Sequence, residues 1–209
     1  MSRWRIAAAG LLLLAVACKK AEQPAQQAAA PAGPAPGTPE WKIQNAMSAA
    51  PAAIASAATI LDWPASATAQ PTQLRAGTNG WTCFPDEADT PANDPMCLDQ
   101  QWMAWAQGYM AHKPPNVTAV GYSYMLMGSS EASNTDPFKM KPDSGQQWQF
   151  DGPHLMVVYP RAQMAMLNSL PDTPGGGGPY VMWKGTPYAH VMVPVGGGGA
   201  APGGEMKGM

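Results

Sequence analysis

Two short segments of this chain carry the residue types with the most specific chemistry, and both have the pattern His-x-Met. They are His154-Leu155-Met156 and His190-Val191-Met192. Residues two apart in a strand project from the same face, so each segment presents an imidazole beside a thioether. If the strands are neighbours, His154, Met156, His190 and Met192 converge as a copper site, since such ligands suit Cu(I). The alternative is that both methionines pack in the core, their commoner role.

Carboxylates in loops offer a second kind of chemistry, because a carboxylate–histidine pair can act as general acid and base. The acids in predicted loops are Asp86, Asp94, Asp99, Glu131, Asp136 and Asp151. The chain has no G-x-S-x-G, H-E-x-x-H or P-loop sequence. Aspartates that precede proline, as at Asp94 and Asp136, are typical turn formers. A small extracytoplasmic hydrolase therefore ranks below copper binding, and no catalytic residue is assigned.

The elements that must position these residues are strands and helices of an α+β domain. Alternating apolar residues predict strands at Ala58–Trp63, Gln73–Phe84, Val117–Met127, His154–Tyr159, Tyr180–Trp183 and His190–Val193, the last two paired as a hairpin. Helices are predicted over Trp41–Thr59 with an interruption at Pro51, over Asp99–Lys113, and over Ala162–Leu170. The prediction is a single α+β domain with a mostly antiparallel sheet of about five strands, two or three packed helices and one disulfide.

The three cysteines, Cys18, Cys83 and Cys97, indicate both a disulfide and a lipid anchor. If Cys18 is acylated, the other two form an even pair, which leaves no free thiol in an oxidising compartment. We therefore predict a disulfide between Cys83 and Cys97 around a polar, proline-rich loop.

The first 17 residues have the features of a signal peptide. Arg3 and Arg5 precede an apolar run from Ile6 to Val16, which is too short to span a bilayer, because a spanning helix needs about 20 residues. The run leads into Ala15-Val16-Ala17-Cys18, which resembles the lipobox of bacterial lipoproteins, so Cys18 is the predicted lipidation site and the link to the membrane. In Gram-negative lipoproteins, a residue other than Asp after the cysteine, here Lys19, implies the periplasmic face of the outer membrane. The same small residues also fit an ordinary cleavage site, which would give a soluble periplasmic or secreted protein.

Composition sets the limits of the domain and excludes one class of partner. Removal of residues 1–17 leaves ten basic and 14 acidic residues, a net charge of −4 that is incompatible with a nucleic-acid surface. Residues 18–40 are rich in Pro, Ala and Gln and are predicted to be a disordered tether. Residues 41–195 form the predicted globular domain, and 196–209 a Gly-rich disordered tail.

Five strings in the domain resemble a family of uncharacterised secreted bacterial proteins that has no established activity. They are Gly77-Thr78-Asn79-Gly80-Trp81-Thr82-Cys83, Asp94-Pro95-Met96-Cys97-Leu98-Asp99, Ser133-Asn134-Thr135-Asp136-Pro137, Gly152-Pro153-His154 and Gly185-Thr186-Pro187-Tyr188. The resemblance supports the domain limits and implies nothing about function. The sequence thus favours an exported, non-catalytic binding or structural module of the envelope, without a cofactor and with an unknown protein or small-molecule partner. Copper binding and hydrolysis remain as alternatives.

Overall fold

The fold is taken from a computed structural model, which describes residues 33–66 and 69–196. The predicted signal peptide, the predicted lipidation site Cys18, residues 18–32 of the predicted tether and residues 197–209 of the predicted tail lie outside the described residues. Within the described ranges, no helix has the length and apolar character needed to cross a bilayer.

The described residues contain four helices, one more than the upper end of the prediction. Helix α1 spans Pro39–Ser48, α2 spans Ala52–Ala55, α3 spans Gln100–Met110, and a 3-10 helix spans Arg161–Ser169. Thr38 caps α1, since its Oγ1 accepts a hydrogen bond from the Trp41 amide at 3.3 Å. The break predicted at Pro51 separates α1 from α2, because proline has no N–H to continue a helix.

The rest of the described chain forms ten short strands. They are β1 (Thr59–Asp62), β2 (Thr72–Arg75), β3 (Thr82–Phe84), β4 (Met96–Leu98), β5 (Gly121–Met125), β6 (Ser129–Glu131), β7 (Gln149–Asp151), β8 (His154–Val158), β9 (Tyr180–Met182) and β10 (His190–Pro194). Eight form one sheet in the order β2-β1-β3-β4-β5-β8-β10-β9, and β6 pairs with β7 separately. The pairs are antiparallel except β1 with β3.

The α+β class is therefore confirmed, but the prediction of about five strands is wrong, because the main sheet has eight. Two physical reasons account for the difference. Strand β4, which was not predicted, has three residues, too few to display an alternating pattern. The predicted strand Gln73–Phe84 is two strands, separated by a turn in which Gly80 has φ of 78°.

Both faces of the main sheet are buried, which explains why its strands alternate between two apolar sets. Leu98, Met156 and Met192 point towards α3 and join its apolar stripe of Trp102 and Trp105. The residues that alternate with them along the strands face the opposite side of the sheet. On that side the alanine-rich helices α1 and α2 cover the first strands. On that same side the 3-10 helix places Leu167 against valines of the last strands. The His-x-Met segments thus lie on the α3 face.

The predicted disulfide is present and joins two neighbouring strands. Cys83 and Cys97 lie directly opposite each other on β3 and β4, and both are fully buried. The bridge closes a loop in which the two cysteines are 14 positions apart. Asp94 folds that loop on itself, because its carboxylate accepts hydrogen bonds from the Glu87 amide and the Thr90 hydroxyl.

Candidate functional site

The two histidines of the His-x-Met segments have the same local geometry. His154 begins β8 and His190 begins β10, and each Nδ1 contacts the carbonyl oxygen two residues earlier, that of Gly152 at 2.7 Å and that of Tyr188 at 3.0 Å. A carbonyl only accepts, so Nδ1 carries the proton and Nε2 the lone pair. Burial lowers the pKa of both imidazoles, that of His190 to about 4. Both rings are therefore neutral at pH 7.

The strand register decides which predicted metal ligands meet. Strands β8 and β10 are hydrogen-bonded neighbours, and Met156 lies directly opposite Met192. His154 lies opposite Pro194, whereas His190 lies beyond the methionine pair at the other end. The two histidines are thus four residue positions apart along the sheet, about 13 Å between their backbones. The structure brings the two thioethers together but not the two imidazoles.

His154 shares its end of the sheet with a methionine that sequence reasoning did not single out. Met125 on β5 lies directly opposite His154, on the same face. Both side chains are buried, with exposed fractions of 3% and 2%. The Nε2 atom of His154 has no hydrogen-bond partner within the described part of the chain. A buried nitrogen lone pair is therefore next to a row of thioethers.

His190 is enclosed by three tryptophans instead. The indole rings of Trp102, Trp105 and Trp183 lie 5.2, 5.5 and 5.1 Å from the imidazole between ring centroids, each nearly perpendicular to it. Edge-to-face contacts of this kind suit a neutral ring, and the lowered pKa agrees with that state. His190 is part of the aromatic core.

A column of parallel rings extends from that core to the surface. Trp183 stacks on Tyr109 at 5.7 Å, Tyr109 on Phe138 at 5.4 Å, and Phe138 on His112 at 4.2 Å, with planes within 14° of parallel. We call these four residues the aromatic column. Two of them, His112 and Trp183, have positive φ values of 53° and 54°, which bulky residues seldom adopt. Trp183 is held by bonds from its amide to the Asn134 carbonyl and from Nε1 to the Ser133 carbonyl, both at 2.8 Å.

Several of the predicted loop acids gather near the β6–β7 hairpin. Glu131 is half-buried, and burial, together with Asp151 and Asp94, raises its pKa to about 8. Burial raises the pKa of Asp94 to about 7. Burial lowers the pKa of His154, whereas the nearby Asp151 raises it. No carboxylate is hydrogen-bonded to either imidazole in the described residues, because each Nδ1 binds a carbonyl and Nε2 of His154 is unpartnered.

No family model, no curated protein and no solved structure matches the chain.

A cleft of about 300 Å³ opens between the segment after α3, the start of the 3-10 helix and the β9–β10 connection. Its buried lining residues are Trp105, Val158 and Ala189, and its exposed ones are Pro114, Arg161, Gly185 and Pro187. The described lining contains no carboxylate, imidazole or thiol. The cleft is thus a proline-rimmed surface of mixed polar and apolar character with one cationic group.

Sequence reasoning did not identify this cleft, Met125 or Arg161. Met125 lies in a segment that was read as a strand, but its partner depends on the register of β5 against β8. Arg161 and the prolines come from three separate connections, and no linear pattern joins them.

Proposed function

We propose that the protein is an exported lipoprotein of the bacterial envelope whose domain is a non-catalytic binding module, with the cleft beside Arg161 as its binding surface. Support for export comes from the signal-like first 17 residues and the lipobox-like segment at Cys18. The observation that carries the binding role is the cleft itself. Its volume is at the lower end of the range for small-ligand pockets.

The chemistry of the cleft defines the ligand it fits. Its floor of Trp105, Val158 and Ala189 suits one apolar side chain, because burial of such a group against apolar carbon is favourable. Arg161 is exposed, and its guanidinium makes no ion pair with any residue of the described ranges. A guanidinium binds a carboxylate through two parallel hydrogen bonds. The fitting occupant is the C-terminal residue of a partner protein that has an apolar side chain.

The charge of the whole molecule adds selectivity to this arrangement. The mature chain is acidic, so most of its surface repels a carboxylate, and Arg161 marks a local exception. The exposed prolines at the rim, Pro114 and Pro187, have fixed φ angles, so they lose little entropy when a ligand binds. The cleft therefore combines an apolar floor, a rigid rim and a single charge.

The test uses two small probes that differ only in charge. We expect N-acetyl-L-phenylalanine to shift the amide NMR signals of Val158, Ala189 and Thr186, and N-acetyl-L-phenylalaninamide to bind at least tenfold more weakly. Arg161→Gln should reduce binding of the acid to that of the amide. Lys141→Gln, which removes an exposed charge outside the cleft lining, is the matched control and should change nothing.

Two outcomes would contradict the proposal. If neither probe shifts the signals of the cleft residues, the cleft is not a binding surface for this class of ligand. If acid and amide bind alike and Arg161→Gln has no effect, the carboxylate is not recognised.

A further inference from the structure

The register of the main sheet places three thioethers around one unpartnered imidazole. Met125 is directly opposite His154, Met156 follows two residues later on the same strand, and Met192 is opposite Met156. Opposed residues have Cβ atoms about 5 Å apart, and diagonal neighbours about 7–8 Å. Methionine has three rotatable bonds after Cα, so each sulfur can reach the ring. All four side chains lie on the face covered by α3.

We propose that Met125, His154, Met156 and Met192 form a buried binding site for one Cu(I) ion. The imidazole is already arranged as a ligand. Its Nδ1–H donates to the Gly152 carbonyl at 2.7 Å, which leaves the Nε2 lone pair directed away from that bond, as in metal-ligating histidines generally. Nε2 is buried and has no partner among the described residues. A lone pair in that state costs free energy unless a ligand occupies it.

The ligand types select the ion. Thioether sulfur is a soft ligand that prefers Cu(I), and imidazole binds it as well, whereas Mg²⁺ and Ca²⁺ require oxygen ligands. Clusters of three or more His, Cys, Asp or Glu with metal-site spacing do not occur in residues 33–66 and 69–196, so a hard divalent ion has no comparable place there. Asp151, whose charge acts on His154, offsets the single positive charge of the ion.

This site differs from the one that the sequence suggested, because Met125 takes the place of His190. His190 lies four residue positions away, among Trp102, Trp105 and Trp183. The site is also separate from the cleft, whose lining contains none of the four ligands. Failure of one proposal therefore leaves the other standing.

The experiment is an anaerobic titration of the full chain with Cu(I) against a chromophoric Cu(I) chelator, without thiol reductant so that the disulfide stays intact. We expect one Cu(I) per chain. Met125→Leu and Met192→Leu, which preserve side-chain volume, should each weaken binding at least tenfold, and His154→Gln should weaken it more. Met182→Leu is the matched control, because this buried methionine on β9 lies opposite His190 and outside the site.

Near-ultraviolet circular dichroism of each variant establishes that the core is retained. Absence of Cu(I) uptake by the unaltered chain would overturn the proposal. Uptake that is equal in all variants would also overturn it, since the ion would then be held elsewhere, for example by the C-terminal methionines Met206 and Met209. An equal loss in Met182→Leu and Met125→Leu would attribute the effect to packing and would count against the site.

Discussion

At the scale of single residues, the domain keeps several ionisable groups in their neutral forms. The imidazoles of His154 and His190 are neutral because burial lowers their pKa values. Glu131 is half-buried next to other acids, and its raised pKa of about 8 leaves the carboxyl group protonated at neutral pH. These groups have opposite effects on the pH dependence of stability. Histidines with lowered pKa values reduce stability below pH 6.5, and acids with raised values reduce it as the pH rises.

The effect of Glu131 is isolated by Glu131→Gln, which mimics the protonated carboxyl group. Unfolded Glu131 releases its proton near pH 4.5 but the folded group holds it to about pH 8, so the native chain loses stability as the pH rises between these values. We expect the variant to gain stability relative to the native chain over this interval, on the order of 1–2 kcal/mol. Urea denaturation at pH 5 and pH 8.5 measures the difference, in which the contribution of the unchanged histidines cancels.

Asp172→Asn is the control, because Asp172 is exposed. Its stability relative to the native chain should be the same at both pH values. A pH-independent difference for Glu131→Gln would show that the carboxyl group is ionised in the folded state.

At the scale of elements, the C-terminal end of α3 combines a helix-capping motif with an aromatic stack at the same residue. The amide of His112 donates to the Tyr109 carbonyl at 3.0 Å and that of Lys113 to the Gly108 carbonyl at 2.9 Å, the pattern of a Schellman motif. The residue with left-handed conformation in this motif is usually glycine. Here it is His112, whose ring stacks on Phe138 at 4.2 Å. The stack therefore offsets the backbone strain.

Two substitutions separate these effects. His112→Ala keeps the strain and removes the stack, so it should destabilise the domain by about 1 kcal/mol. His112→Gly removes both and should remain within about 0.5 kcal/mol of the native chain, since relief of the left-handed strain contributes about 1 kcal/mol. Chemical denaturation measures both. Equal losses for alanine and glycine would show that the backbone at His112 is not strained.

The elements also show what the sequence alone could predict. The apolar patterns predicted a helix over Asp99–Lys113 and a strand at each His-x-Met segment, and the structure has α3, β8 and β10 at these places. These features depend on local periodicity. The register between strands does not depend on local periodicity. This register separates His154 from His190 and places Met125 opposite His154.

The β6–β7 hairpin was missed for a different reason. Its first strand reads Ser129-Ser130-Glu131, which lacks the apolar alternation of a half-buried strand. The segment was therefore interpreted as part of a polar loop. Its pairing with Gln149–Asp151 joins chain segments about 20 positions apart, and no turn signal links them directly.

At the scale of the whole molecule, the disulfide ties the middle of the sheet together. Reduction should lower the free energy of unfolding by about 3 kcal/mol, because the bridge closes a loop between cysteines 14 positions apart and restricts the unfolded chain. Urea denaturation with and without reductant measures this change. A Cys83→Ala, Cys97→Ala variant should have the stability of the reduced chain and should not respond to reductant.

Thiol titration of the unfolded, membrane-extracted protein provides the control. With Cys18 acylated and the bridge intact, we expect no reactive thiol before reduction and two after it. One thiol before reduction would contradict lipidation of Cys18. Two would contradict the bridge in the exported protein.

The aromatic column has an optical consequence. Trp183 and Tyr109 lie 5.7 Å apart with planes 2° from parallel, and Trp105 lies within 6.0 Å of Trp183. Chromophores at such separations share their excited states, so the ultraviolet dichroism of the domain should contain an exciton couplet rather than the sum of isolated rings. The couplet exists only when α3 and the β9–β10 connection are docked together. The ultraviolet dichroism of the unlabelled protein therefore indicates whether its tertiary structure is assembled. The region that gives this signal also borders the proposed binding cleft, through Trp105.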